Sequence, residues 1–82
     1  MKLKYVVDEM GGCAVFTGYV NHDSIGQACG RHRLTIVGAG FIEIIDGIVN
    51  CYGESLSLNI KSRGKEDAKC VANTLGLDVE PD

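Results

Sequence analysis

Asp46-Gly47, set between Ile45 and Ile48, is the feature that most narrows the folds open to this chain. A two-residue Asp-Gly turn between apolar runs predicts a β-hairpin of type I′. Both central residues need a positive φ, which Gly adopts freely and Asp tolerates. So short a turn also sets the register. Ile45 should face Ile48, Ile44 should face Val49, Glu43 should face Asn50, Ile42 should face Cys51, and Phe41 should face Tyr52. A second two-residue turn at Glu54-Ser55 would add a strand over 56–61, with Leu58 beside Cys51 and Ile60 beside Val49. One face then reads Ile42, Ile44, Val49, Cys51, Leu58 and Ile60, all apolar. The other carries Phe41, Tyr52 and Ser57, then Glu43, Asn50 and Asn59, then Ile45, Ile48 and Lys61. A three-residue turn would set Leu58 beside Asn50 and mix the faces, so the first register is preferred.

The chain after this block predicts a helix over about Lys65–Leu75. Ala68, Val71, Ala72 and Leu75 recur at i, i+3, i+4 and i+7, one apolar stripe to roof the apolar sheet face. Glu66 and Asp67 sit in the first turn, where the helix dipole favours negative charge. Gly76 is placed to stop the helix in the left-handed conformation, with Leu77 closing a Schellman contact. Residues 78–82 are expected to be a frayed tail.

Upstream, Leu3, Tyr5 and Val7 alternate with polar residues, a half-buried strand. Gly11-Gly12 marks a turn into a second strand over 13–20, with Ala14, Phe16 and Val20 assigned inward and Cys13, Thr17 and Tyr19 outward. Ser24 with Gln27 fits a capping box opening a helix of one or two turns that Gly30 ends. Residues 32–37 read as a strand, and Gly38-Ala39-Gly40 as a bend, bulge or turn before the strand 41–45. The order β-β-α-β-β-β-α describes one α+β domain over 1–82. It holds an antiparallel sheet of five to six strands with the C-terminal helix packed on one face.

Size and composition bound the function. The chain has 82 residues, 45% of them apolar, with eight Lys and Arg against eleven Asp and Glu, a net charge of −3. An acidic balance argues against coating nucleic acid, which needs an excess of cation. The opening MKLKYVVDEMGG is too short in its apolar run for a signal peptide, and no segment has the length of a membrane span, so a cytoplasmic protein is expected. Cys13, Cys29, Cys51 and Cys70 are widely spaced with no close pair. That fits buried small side chains better than a disulfide framework or a zinc site with His22 and His32. No metal and no cofactor are expected.

Two basic clusters are candidate anion sites. Lys61, Arg63, Gly64 and Lys65 lead into the last helix, whose N-terminus exposes unpaired N–H groups. Arg31 and Arg33 flank His32 at a strand start, and guanidinium forks suit phosphate. The plainer reading of each is a solvated turn or strand end, with Glu66 and Asp67 supplying the negative charge internally in the first case. Thr35-Ile36-Val37-Gly38-Ala39-Gly40 imitates a dinucleotide-binding fingerprint. Its third glycine would fall at Glu43, however, and hairpin sequence follows where a helix is required. His22-Asp23, Ser55 and Ser57 lack the context of a catalytic site, so no enzyme is expected. The outer face around Phe41, Glu43, Asn50, Tyr52 and Asn59 is unusually apolar for a solvent face: either the short helix covers it or it meets a second subunit or partner, and it is the candidate partner-binding surface.

The block Ala39-Gly40-Phe41, then Cys51-Tyr52-Gly53-Glu54-Ser55-Leu56-Ser57-Leu58, then Lys61-Ser62-Arg63 to Asp67-Ala68, resembles small proteins encoded by tailed phages and prophages. The resemblance covers the C-terminal half and carries no catalytic residue. It implies a non-virion accessory protein working in a bacterial cytoplasm on a host protein, a nucleic acid or a signalling nucleotide. The leading expectation is a contact-binding module, a homodimer with a host factor as further partner. The alternative is capture of a nucleotide-like anion at the basic helix N-terminus.

Overall fold

The computed structural model describes residues 3–17 and 35–81. Strands β1 (Leu3–Asp8), β2 (Cys13–Thr17), β3 (Ile36–Ile45) and β4 (Ile48–Tyr52) precede a small ribbon, β5 (Glu54–Ser55) and β6 (Ile60–Lys61). Helix α1 (Lys65–Leu75) and strand β7 (Asp78–Val79) follow. The main sheet has the order β2-β1-β3-β4-β7 and is antiparallel except for β7, which runs parallel to β4. The fold is the expected α+β class, with α1 packed on one sheet face. Arg31, Arg33, His22, His32 and the short helix expected near Ser24 lie outside the described residues.

The β3–β4 hairpin has the register that Asp46-Gly47 dictates, from Ile45↔Ile48 to Phe41↔Tyr52. Asp46 and Gly47 both adopt positive φ, 52° and 77°. Helix α1 also has its expected bounds. Gly76 is left-handed at φ 72°, and the Gly76 and Leu77 amides both donate to Ala72 O, which closes the last turn. Ala68, Val71 and Ala72 are buried against Tyr5, Val7, Ile42, Val49 and Cys51. Leu75, the last residue of the apolar stripe, stands 39% exposed.

Residues 56–61 do not form the expected third strand of the hairpin ladder. Glu54-Ser55 is no turn: the chain leaves β4 at Gly53 (φ 78°), where a side chain would strike the Phe41 ring. It then folds back so that Ser55 pairs with Ile60 and Glu54 with Lys61, with the Ser62 amide bonded to Gly53 O. The Ser55 hydroxyl accepts the Leu58 amide at 3.3 Å, a local bond that competes with an extended backbone. Leu56 ends 85% exposed, and Leu58, Asn59, Ile60 and Lys61 are not in the main sheet. Asp78 and Val79 take the vacated edge of β4 instead, opposite Ile48 and Val49, so the start of the expected frayed tail is a strand.

Two further expectations are corrected. Of the bend, bulge or turn expected at Gly38-Ala39-Gly40, the turn and the bend are absent: β3 runs through as one ten-residue strand, and its register slips at Val37, just before Gly38, as in a bulge. The faces of β2 are the reverse of those expected. Cys13 and Val15 pair with Val7 and Tyr5 and pack on the helix-side core, leaving Ala14 and Phe16 on the other face. Both parities of β2 are apolar, so the connection decides. Its Asp8 carboxylate accepts the Met10 and Gly12 amides and fixes where the return strand starts.

Candidate functional site

The basic helix start is the first candidate. Gly64 opens α1 without a side-chain cap, and its amide donates to Ser62 Oγ at 3.1 Å. Asp67, three residues in, is wholly buried and turns back under the helix end. Its Oδ2 accepts the Arg63 amide at 2.8 Å and the Tyr5 phenol at 2.6 Å. Its Oδ1 accepts Arg63 Nε at 2.7 Å. Ser62 Oγ lies 2.7 Å from Tyr5 Oη. The single phenol proton goes to the carboxylate, so Ser62 is the donor in that contact. Arg63 Nη1 reaches Glu66 as well, at 3.4 Å.

The guanidinium expected to hold a foreign anion is therefore held by two carboxylates of its own helix. Burial works against the charge on Arg63, but the hydrogen bond to Asp67 and the Asp67 charge outweigh it and raise its pKa above the usual value. Lys61 is exposed and lies opposite Glu54. Of the six anion-site candidates, Arg63 and Gly64 are absorbed into the helix cap, Lys61 and Lys65 are exposed beside it, and Arg31 and Arg33 lie outside the described residues. The plainer reading, in which Glu66 and Asp67 supply the negative charge internally, holds for Arg63; the sequence did not disclose that Asp67 is buried and also takes the Tyr5 phenol. The spacing of Arg63 to Glu66 and Asp67 signalled the pairing, and a carboxylate on the same side of the helix as Cys70 and Val71 was the signal for burial.

The two glycines of the fingerprint-like segment belong to this network. A Cβ on Gly38 would overlap Asp67 Oδ2, and one on Gly40 would overlap the Tyr52 carbonyl where the chain crosses β3. Both residues make room for a close approach on the helix side, which is a packing role and not a phosphate cradle. Among the described residues, no three His, Cys, Asp or Glu side chains converge to hold a metal ion. No described helix is long and apolar enough to cross a membrane.

Burial raises the pKa of Tyr5 well above its usual 10.0, and the bond to Asp67 adds to the effect. Burial also pushes the Cys51 thiol up from 9.0 to about 12, with the charge of Asp67 next in size. A raised folded pKa is a stabilising contribution present at low pH and lost on the alkaline side. For Cys51 it is complete below pH 9 and disappears as the pH approaches about 12; for Tyr5 the loss begins above pH 10. Each group contributes a slope of about 1.4 kcal/mol per pH unit while only the unfolded chain titrates. Urea midpoints in reducing buffer should stay level up to pH 9 and fall between pH 9 and 11, and Cys51→Ala should flatten the first part of the fall. A wild-type midpoint unchanged at pH 11 would contradict the burial of these two groups.

The outer face of β3 and β4 is the second candidate. The hairpin register brings Phe41, Tyr52, Glu43, Asn50, Ile45 and Ile48 together on the side away from α1. The Phe41 and Tyr52 rings pack at a centroid distance of 5.8 Å and an angle of 34°. Tyr52 remains 43% exposed and Ile45 53%, while Ile48 and Asn50 are half-buried. Asn59, expected on this face, sits instead in the ribbon turn with φ 55° and is not part of the surface. Glu80 and Pro81, which follow β7, join it: with Ile45, Asp46, Ile48 and Asn50 they line an open groove of about 350 Å³. Nothing local in the sequence assigns those two residues to this place.

No family model, no curated protein and no solved structure matches the chain.

Proposed function

We propose that this chain is a small accessory binding module of the kind carried by tailed phages, acting by protein contact on a host factor and without chemistry of its own. The observation that supports this reading is the outer face of β3 and β4. It presents Ile45 and Tyr52 to solvent on a hairpin whose register is fixed by its own turn. An apolar patch on so small a chain is costly to leave in water, and such patches mark contacts. Aromatic anchors with polar neighbours, as Phe41 and Tyr52 with Asn50 and Glu43, are what a binding surface needs. The competing reading, anion capture at the helix start, loses its main donor to Asp67 and Glu66.

Tagged wild-type protein and the variant Tyr52→Ala/Ile45→Ser should be compared in affinity capture from the host and in light scattering at several concentrations. Tyr52 and Ile45 are 43% and 53% exposed, so the variant should fold, at a cost of about 1 kcal/mol per site that for Tyr52 includes its ring contact with Phe41. The expected result is a retained partner, or self-association, that the variant loses. A wild-type chain that is strictly monomeric and retains nothing would end this reading, as would a partner retained equally by the variant.

A further inference from the structure

We infer that the Ile45 end of the outer face takes a basic, amphipathic segment of a partner protein; the inference rests on the contact reading and adds the chemistry of the partner. The groove floor is apolar, made by Ile45 and Ile48, with the Asn50 amide at its inner end. Its rim is acidic. Asp46 and Glu80 line the groove itself. Asp78 pairs with Ile48 and so shares its face, and Glu43 pairs with Asn50 and shares that face too. All four carboxylate residues are exposed. Among the described residues none of the four has a cationic partner, since both ion pairs there belong to Arg63.

An apolar strip bordered by carboxylates that pair with no described cation selects its occupant. A lysine or arginine stem can lie along Ile45 and Ile48 while its charged head reaches the rim, and the Asn50 amide can bond a peptide backbone. A second copy of this chain is a poor fit, because a two-fold contact here would set one acidic face against another, Asp46, Asp78 and Glu80 on both sides. Phosphate-bearing partners are repelled by the same four groups. The surface therefore suits a cationic segment with apolar residues interleaved, in a protein.

The test is a ¹⁵N-resolved titration of the full chain with a capped heptapeptide alternating lysine or arginine with leucine or isoleucine. Two counterparts serve as references, one with glutamate for each cation and one with serine for each apolar residue. The basic amphipathic peptide should shift residues 45–50 and 78–80. Binding should weaken with added salt, and by about tenfold in Asp46→Asn/Glu80→Gln, since charge pairs at a partly exposed rim are screened. Equal binding of either counterpart, or shifts elsewhere, would overturn the inference. So would shifts at this face that grow with protein concentration alone, which would name a second copy as occupant. If the heptapeptide gives no shift while a host partner is still lost with Tyr52→Ala/Ile45→Ser, the inference falls and the contact reading stands; if neither binds, both fall.

Discussion

Asp67→Ala is expected to destabilise the fold by about 2–4 kcal/mol, because a buried phenol loses its acceptor and three hydrogen bonds to a carboxylate are lost, while Arg63, 32% exposed, can turn to water. The carboxylate is fully buried and serves three donors: the Tyr5 phenol, the Arg63 amide and Arg63 Nε. Without it the phenol is left in the core with no acceptor as good. Arg63 loses the shorter of its two ion pairs, and the helix start loses one of its two hydrogen-bonded ties to Tyr5, the Ser62 contact remaining. A domain of this size is held by roughly 5–10 kcal/mol in all, so the variant should sit near the edge of folding. Glu66→Ala is the control. That side chain is 70% exposed and its contact with Arg63 is 3.4 Å, so its removal should cost less than about 1 kcal/mol. Urea unfolding followed by circular dichroism measures both. An Asp67→Ala midpoint equal to that of Glu66→Ala would mean that the network does not hold the helix to the sheet.

Gly38→Ala should cost about 3 kcal/mol in the wild-type background, at the upper end for overpacking by one methyl group. The new Cβ would overlap Asp67 Oδ2 and lie 2.5 Å from Oδ1 and 2.6 Å from Cγ. The carboxylate is pinned by its hydrogen bonds and cannot withdraw without breaking them. The sharper expectation concerns the pair. In the Asp67→Ala background the obstacle is gone, and alanine in a strand interior is better than glycine by roughly 0.5–1 kcal/mol. The same substitution should then become neutral or mildly stabilising, a coupling of about 3 kcal/mol or more. Strict additivity of the two substitutions would show that Gly38 is required for some reason other than the approach of Asp67.

The two glycines illustrate how far one sequence can be read. Gly38-Ala39-Gly40 was legible as a place where the backbone is special, and a dinucleotide site could be set aside because hairpin residues follow. Its actual purpose depends on what crosses β3 from the helix side, Asp67 over Gly38 and the Tyr52 carbonyl over Gly40. Both contacts join residues distant along the chain. The anion-site reading is weakened at shorter range, at Arg63 alone. Arg63 pairs with Glu66 and Asp67 three and four residues on, the internal neutralisation that the sequence already offers, and only the packing of Tyr5 under α1 adds that Asp67 is buried.

What the sequence determined by itself is the part governed by short-range chemistry. Asp46-Gly47 set the hairpin register and therefore the face shared by Phe41, Glu43, Asn50 and Tyr52. The apolar stripe and Gly76 set the span and the stop of α1. Only the tertiary structure decided which segment borders β4. Residues 56–61 have the alternation of a strand, yet a Ser55 hydroxyl and a left-handed Gly53 turned them aside, and Asp78–Val79 took the edge. That choice brought Glu80 and Pro81 to the groove and removed Asn59 from the face. A sheet edge is filled by a competition among segments far apart in the chain, and the outcome depends on where the helix delivers the chain end, which no local pattern encodes.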